Sequence, residues 1–135
     1  MLLIGGIVLS PIAWVMIAYV LPMAVHDPLA KLNTRHGPKF SFERFNQIQK
    51  GDSESRVIEL IGAPLNHDFM TYKPGDGWGG VHQRARTREE VRTDLKIKFK
   101  CLHYSTSKSG GDFRWITVYL GDDGSVTDTN DFVTD

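Results

Sequence analysis

The stretch GDSESRVIELIGAP, residues 51–64, predicts a short helix with one buried side and a defined start and end. Asp52 or Ser53 supplies the side-chain oxygen that caps this helix, and Glu54 places a negative charge in the first turn, where the helix dipole favours it. The apolar side chains spaced to share one side of this helix are Val57, Leu60 and Ile61. The Gly-Ala-Pro sequence that follows ends the helix.

A second short helix is predicted immediately before this stretch. Ser41 is a suitable cap. The apolar residues that recur on one side after it are Phe42, Phe45 and Ile48. Gly51 ends this helix, because glycine adopts the left-handed conformation at helix ends at little cost. The chain therefore passes through two short helices in succession, each with one apolar side.

The second half of the chain shows the alternation of β-strands. The predicted strands are residues 68–72, 95–104, 113–120 and 126–129. The sequence GDDGS, residues 121–125, is typical of a hairpin turn. Together with the helices, this order predicts an α+β fold in which two short helices pack on one face of a three- or four-stranded antiparallel sheet.

The alternation also predicts which side chains share a face of the sheet. In the strand 95–104, one face would carry Leu95, Ile97, Phe99 and Cys101, and the other Lys96, Lys98 and Lys100. In the strand 113–120, one face would carry Phe113, Trp115 and Tyr119, and the other Ile116, Val118 and Leu120. The second strand therefore has an aromatic side and an aliphatic side.

Residues 1–25 contain no charged side chain and predict a transmembrane helix ahead of the folded part. As a helix they would span roughly 37 Å at about 1.5 Å per residue, and the hydrocarbon core needs only about 20 residues. A cleaved signal peptide is the alternative, but no basic segment precedes the apolar run and its cleavage site is a poor match. We therefore expect a single-pass anchor at 1–25, contact with the lipid bilayer through it, a linker at 26–40 and a folded domain at 41–135.

Composition argues against a protein that binds nucleic acid by general charge attraction and excludes a disulfide-stapled miniprotein. Lys and Arg number 16, as do Asp and Glu, so the formal net charge is zero and a general attraction to nucleic acid is not expected. Cys101 is the only cysteine, so no intrachain disulfide can form.

The helix motif resembles the signature of the SmpA/OmlA (BamE-like) family of small bacterial envelope proteins. The matching positions are Gly51, Ser53, Val57, Ile61, Gly62 and Pro64, and the later hairpin VYLGDDGSV, residues 118–126, is also similar. The resemblance implies an α-α-β-β-β domain in the periplasm, whereas the basic residues after the apolar run favour a cytoplasmic domain. Family members are typically lipoproteins, but no cysteine lies near residues 1–25, so the transmembrane helix would be the anchor instead.

The sequence offers little for catalysis, and we expect no enzyme activity, no cofactor and no metal. The possible metal ligands are His67, His82, Cys101 and His103. Only Cys101 and His103 are placed by a strand on one face, and zinc needs two further ligands. There is no nucleophile elbow, no glycine-rich phosphate loop and no calcium-loop spacing of aspartates.

Protein binding is the function that remains. Trp78, in the loop KPGDGWGG, is the first candidate partner contact, and Tyr72 and Trp115 are the others, because these residue types are enriched at binding hot spots. We expect a membrane-anchored, non-catalytic interaction or scaffold module of the bacterial envelope that assists assembly or maintenance of a membrane protein complex. The alternative is an inhibitor or immunity-type protein that binds its partner through the same fold.

Overall fold

A computed structural model describes residues 28–75 and 83–134 of the chain. The helices are α1 at residues 28–33, α2 at Phe42–Phe45 and α3 at Glu54–Ile61. The strands are β1 at Thr34–His36, β2 at Asn66–Tyr72, β3 at Gln83–Ala85, β4 at Lys96–His103, β5 at Ser105–Ser107, β6 at Arg114–Leu120 and β7 at Val126–Val133.

The strands form two antiparallel sheets. The larger has five strands in the order β3-β2-β4-β6-β7, and the smaller pairs β1 with β5. The predicted fold class, with three or four strands in a single sheet, is therefore wrong, since the described part is mostly sheet with three short helices. Strands β1, β3 and β5 have three residues each, which is too short for alternation to reveal them.

The membrane part of the fold prediction is also corrected. None of the helices within residues 28–75 and 83–134 combines the length and the apolar character needed to cross a bilayer. The predicted span at 1–25 lies outside the described residues. Within the predicted linker 26–40, residues 28–33 are helical and Thr34–His36 pair with β5.

Helix α3 begins and ends as its sequence predicts. The Arg56 backbone N–H donates to Ser53 Oγ over 3.2 Å, which is the predicted cap. Gly62 has a φ of 85°, in the left-handed region, and its N–H donates to Ile58 O over 2.8 Å. A Cβ at Gly62 would lie 2.7 Å from Lys39 Cβ, so both the conformation and the space at this position require glycine.

The hydrophobic core lies between the helices and one face of the larger sheet. It contains Phe45, Val57, Ile61, Leu102, Tyr104, Ile116, Val118, Leu120 and Val126. The predicted faces of β6 are confirmed, because Ile116, Val118 and Leu120 are fully buried in this core. Trp115 and Tyr119 alternate with them and point to the opposite face, where both are half-buried.

The predicted faces of β4 are wrong because of a β-bulge. Met70 of β2 pairs with Phe99, but its neighbour Thr71 pairs with Ile97, so Lys98 is an extra residue on β4. Paired residues share a face, and Met70 and Thr71 point to opposite faces. Ile97 and Phe99 therefore lie on different faces, although their spacing in the sequence predicts the same one.

Asn33 joins the segment before β1 to the loop after β5. Its side-chain amide donates to Ser107 Oγ, Gly110 O and Asp112 O over 2.8–3.0 Å. Its side-chain oxygen accepts from the backbone N–H and the hydroxyl of Ser109. These bonds hold a predicted linker residue in the folded part through contacts with residues more than 70 positions away.

Candidate functional site

Four side chains meet on the sheet face opposite the helices, at the centre of the larger sheet. They are Asp68 of β2, Cys101 and His103 of β4, and Thr117 of β6. Asp68 pairs with Cys101 and His103 pairs with Thr117, so the strand register brings all four to the same face. We call this group the central polar cluster.

His103 connects the members of the central polar cluster. Its Nδ1 lies 3.0 Å from Thr117 Oγ1, and its Nε2 lies 3.3 Å from Asp68 Oδ1 without the alignment of a straight hydrogen bond. With the proton on Nε2, Nδ1 accepts from the Thr117 hydroxyl, and the Nε2–H lies beside the carboxylate without forming a straight hydrogen bond. Burial lowers the pKa of His103, against the raising effect of the Asp68 charge, so the ring is neutral at pH 7.

Asp68 also contacts a cation on the neighbouring strand. Arg84 of β3 lies with its guanidinium 3.4 Å from Asp68 Oδ2. The Asp68 side chain is 19% exposed, so this carboxylate is shielded from water but keeps a charged partner. The cluster therefore combines a neutral histidine with a paired carboxylate.

Cys101 is chemically inert in this environment. The side chain is fully buried, and burial together with the negative charge of Asp68 raises its thiol pKa to about 12. Only the thiolate is an effective nucleophile, and at neutral pH the thiol stays protonated. Cys101 therefore acts as a small buried side chain.

The order Asp68–His103–Thr117 has the connectivity of a catalytic triad, but its burial does not fit one. Thr117 is 0% exposed, so its hydroxyl is not accessible to the carbonyl of a substrate. The hydroxyl is held in a hydrogen bond to His103 instead. The cluster is thus suited to fixing the centre of the sheet, and the absence of enzyme activity stays a prediction.

An aromatic surface lies beside the cluster, near the start of β6. The Trp115 ring makes an edge contact with His103 at 5.1 Å between centroids and packs against Phe113 at 5.4 Å. Phe132 of β7 is the ladder partner of Trp115, and it is 46% exposed. We call Phe113, Trp115 and Phe132 the Trp115 surface.

A depression of about 420 Å³ adjoins the Trp115 surface. Its lining residues are Asn66, His67, Asp68, Arg86, His103 and Trp115. The guanidinium of Arg86 and the amide of Asn66 supply hydrogen-bond donors there. An aromatic wall next to polar donors is a common composition for a contact surface between proteins.

The three predicted contact residues are not brought together by the described part of the fold. Trp115 lies in the surface just defined. Tyr72 is at the far end of β2, where it pairs with Lys96, seven residues along β4 from His103 and thus roughly 20 Å away. Tyr72 lines a different depression with Arg88 and other residues of the loop after β3. Trp78 lies outside the described residues.

The possible metal ligands do not form a site within residues 28–75 and 83–134. No group of three or more His, Cys, Asp or Glu side chains is placed there to hold an ion. Cys101 and His103 share a face as predicted, and His67 is exposed. His82 lies outside the described residues.

Sequence reasoning missed the central polar cluster. His103 is buried, with only 5% of its surface exposed, and no local feature of the sequence predicts this. Alternation in β4 was the available signal for the grouping, because it places Cys101 and His103 on one face. Their partners Asp68 and Thr117 lie 35 and 14 residues away from His103, and only the strand pairing brings them into contact.

No protein-family model, curated protein or solved structure matches this chain. The resemblance to the SmpA/OmlA family therefore stays a prediction that rests on the motif at residues 51–64 and the hairpin at residues 118–126.

Proposed function

We propose that this chain is a non-catalytic protein-binding domain and that the Trp115 surface contacts the partner. The observation that carries the proposal is Phe132, a large apolar side chain that is 46% exposed beside the half-buried Trp115. Aromatic residues contribute a disproportionate share of the free energy at protein interfaces.

The contacts beneath the Trp115 surface support the proposal. Trp115 packs on the buried ring of His103, and the β6–β7 ladder holds the backbone of Trp115 and Phe132. A side chain that is already held in place loses little conformational entropy when it binds. The polar groups of Asn66 and Arg86 at the adjoining depression would form the rim of the contact.

The cellular setting is a separate part of the proposal and rests on the family resemblance alone. Members of the SmpA/OmlA family are envelope proteins, so we propose that the partner is a protein of the bacterial envelope and that the domain acts as a scaffold for it.

The test is affinity capture with the full chain from cells that express it, with quantitation of each captured protein. Phe132→Ala should lower capture of the partner by at least about tenfold, the change expected for a contact worth about 1.4 kcal/mol or more. Trp115→Ala should do the same, and Trp78→Ala tests the loop contact in parallel. Ile58→Ala is the matched control, because Ile58 is 39% exposed but lies on α3, on the helix side of the sheet.

The proposal is wrong if Phe132→Ala and Trp115→Ala keep the melting temperature and leave the yield of every captured protein unchanged. If the captured protein is an enzyme whose activity falls when this chain is added, this chain is an inhibitor rather than a scaffold.

A further inference from the structure

Strand β7 lies at one edge of the larger sheet, and the start of its outer side is already covered. The Gly51 N–H donates to Val126 O, and the Val126 N–H donates to Asp52 O, both over 2.8 Å. An isolated bridge joins Ser53 to Ser125. The segment 51–53 therefore occupies the outer edge of β7 at Val126.

Beyond Val126 the outer edge has no partner strand in the described part of the chain. The Thr134 N–H donates to Phe113 O, which identifies Phe113 and Thr134 as a hydrogen-bonded pair of the β6–β7 ladder. Backbone groups point alternately to the two sides of a strand, so residues 128, 130 and 132 bond to β6. The backbone groups of residues 129, 131 and 133 point outward. The Thr129 N–H donates to the exposed Asp128 Oδ1 over 3.0 Å, a local bond that a second strand would replace, and an edge of this kind is a template for another strand.

The opposite edge of the sheet is less suited to pairing. Strand β3 has only three residues, Gln83–Ala85, and an exposed arginine-rich loop follows it. Strand β7 has eight residues. A short edge beside a charged loop resists pairing with another chain, whereas a longer edge with outward-pointing backbone groups permits it.

We propose that two copies of this chain associate by antiparallel pairing of their β7 strands about a two-fold axis at Asn130. Tyr119 pairs with Asp128 and Leu120 with Val126, so Thr127 is an extra residue that forms a bulge in β7. The open window of the edge is therefore residues 128–133, and Asn130 lies near its centre. A second copy of the same window therefore fits between the segment 51–53 and the end of the strand. The pairing joins the two larger sheets into one. It rests on the backbone of β7 rather than on the Trp115 surface, although it places Phe132 opposite Asp128 of the second copy.

The charges on the edge favour this register. With Asn130 opposite itself, Asp128 faces Phe132 and Asp131 faces Thr129, so no like charges are opposed. Moving the two-fold axis from residue 130 to residue 131 changes the register by two residues and places Asp131 opposite Asp131 of the second copy. Moving the axis to residue 129 would extend the pairing to Val126, whose backbone groups are already bonded to residues 51 and 52.

The net charge of the chain and the charges on the β7 edge favour a second copy of this chain as the partner of that edge. The formal net charge is zero, so two copies do not repel each other at long range. The Asp131 carboxylate is held by Arg114, with nitrogen–oxygen distances of 2.5 and 2.6 Å, so it brings little unbalanced charge to the edge. These observations favour a copy of this chain over a basic segment of another protein.

The test is disulfide formation in the full chain, comparing Asn130→Cys with Asp128→Cys. Across the two-fold axis the Cα atoms of residue 130 form a non-hydrogen-bonded pair about 4.5 Å apart, within the range for a disulfide. Residue 128 faces residue 132 of the other copy, which leaves its own counterpart roughly 13 Å away. Cys101 is fully buried and does not compete.

Under mild oxidation we expect Asn130→Cys to form covalent dimers at least about tenfold faster than Asp128→Cys. Association through the uncharged segment 1–25 would affect both variants equally. Equal rates, or no dimer with Asn130→Cys, would overturn the proposal.

A second measurement does not need a cysteine. Sedimentation equilibrium of the wild-type chain in non-ionic detergent should show a dimer that Asn130→Lys weakens, because it places like charges opposite each other. Thr129→Pro should also weaken it, since proline removes the N–H that would pass from Asp128 Oδ1 to the second copy. A wild-type chain that stays monomeric, or variants that associate as the wild type does, would contradict the proposal and leave a strand of another protein as the occupant of this edge.

Discussion

The hydroxyl of Tyr104 should be an important stabilising group at the junction between helix and sheet. Tyr104 is 0% exposed, and its hydroxyl donates to Gly62 O over 3.1 Å. This carbonyl belongs to the residue that ends α3, and Gly62 is itself buried. Tyr104→Phe would remove the donor and keep the ring, so the carbonyl would be left without a hydrogen bond in a site closed to water.

The cost of an unsatisfied buried carbonyl is about 1–3 kcal/mol. For a domain of about 100 residues, each kcal/mol lowers the melting temperature by roughly 4–8 °C. Tyr104→Phe should therefore lower the melting temperature by at least roughly 4 °C and shift the urea midpoint downward without changing the slope.

Tyr72→Phe is the matched control, because it makes the same chemical change at a half-buried site. Its melting temperature should stay close to that of the wild type. If Tyr104→Phe and Tyr72→Phe had the same effect, the hydrogen bond to Gly62 would contribute nothing measurable, and the reasoning about the helix end would be refuted.

Two further predictions concern the helix cap and the buried histidines. Ser53→Ala should lower the free energy of unfolding by about 1 kcal/mol in urea titrations, because it removes the cap of α3. Ser55→Ala, in the exposed first turn, should lower it by less. Equal losses in the two variants would argue against the cap. Burial lowers the pKa values of His36 and His103 below 6.5, so the unfolded chain binds more protons than the folded chain as the pH falls through about 6.5. The free energy of unfolding should therefore fall between pH 7.5 and 5.5, at up to about 1.4 kcal/mol per pH unit for each histidine, and the fall should be smaller in His103→Gln. A constant or rising urea midpoint over this range would contradict the lowered pKa values.

Local signals predicted the elements whose causes lie within a few residues of each other. The cap at Ser53 and the stop at Gly62 bound α3 as expected, and alternation identified the inner face of β6. Capping bonds join residues two or three positions apart, and the period of a strand needs only five or six residues to show. These features can therefore be recognised from short stretches of the sequence.

The candidate site was only partly accessible from the sequence. Trp115 was identified by residue type, but Phe132, its neighbour on the Trp115 surface, was not, since no local feature distinguishes it from a core residue. Another predicted contact, Tyr72, lies at the opposite end of the sheet, because the strand pairing separates it from Trp115. The buried state of His103 depends on Asp68 and Thr117, which only the fold brings to it.

By itself, the sequence determined where α3, β2, β4 and β6 lie and which side of β6 is buried, because backbone capping and side-chain periodicity act over short distances. Only the tertiary structure decided the strand order, the bulge that turns Ile97 and Phe99 to different faces, the central polar cluster and the free edge of β7. Each of these depends on pairing between segments far apart in the chain, where the register is chosen by burial of the whole sheet face rather than by any one stretch.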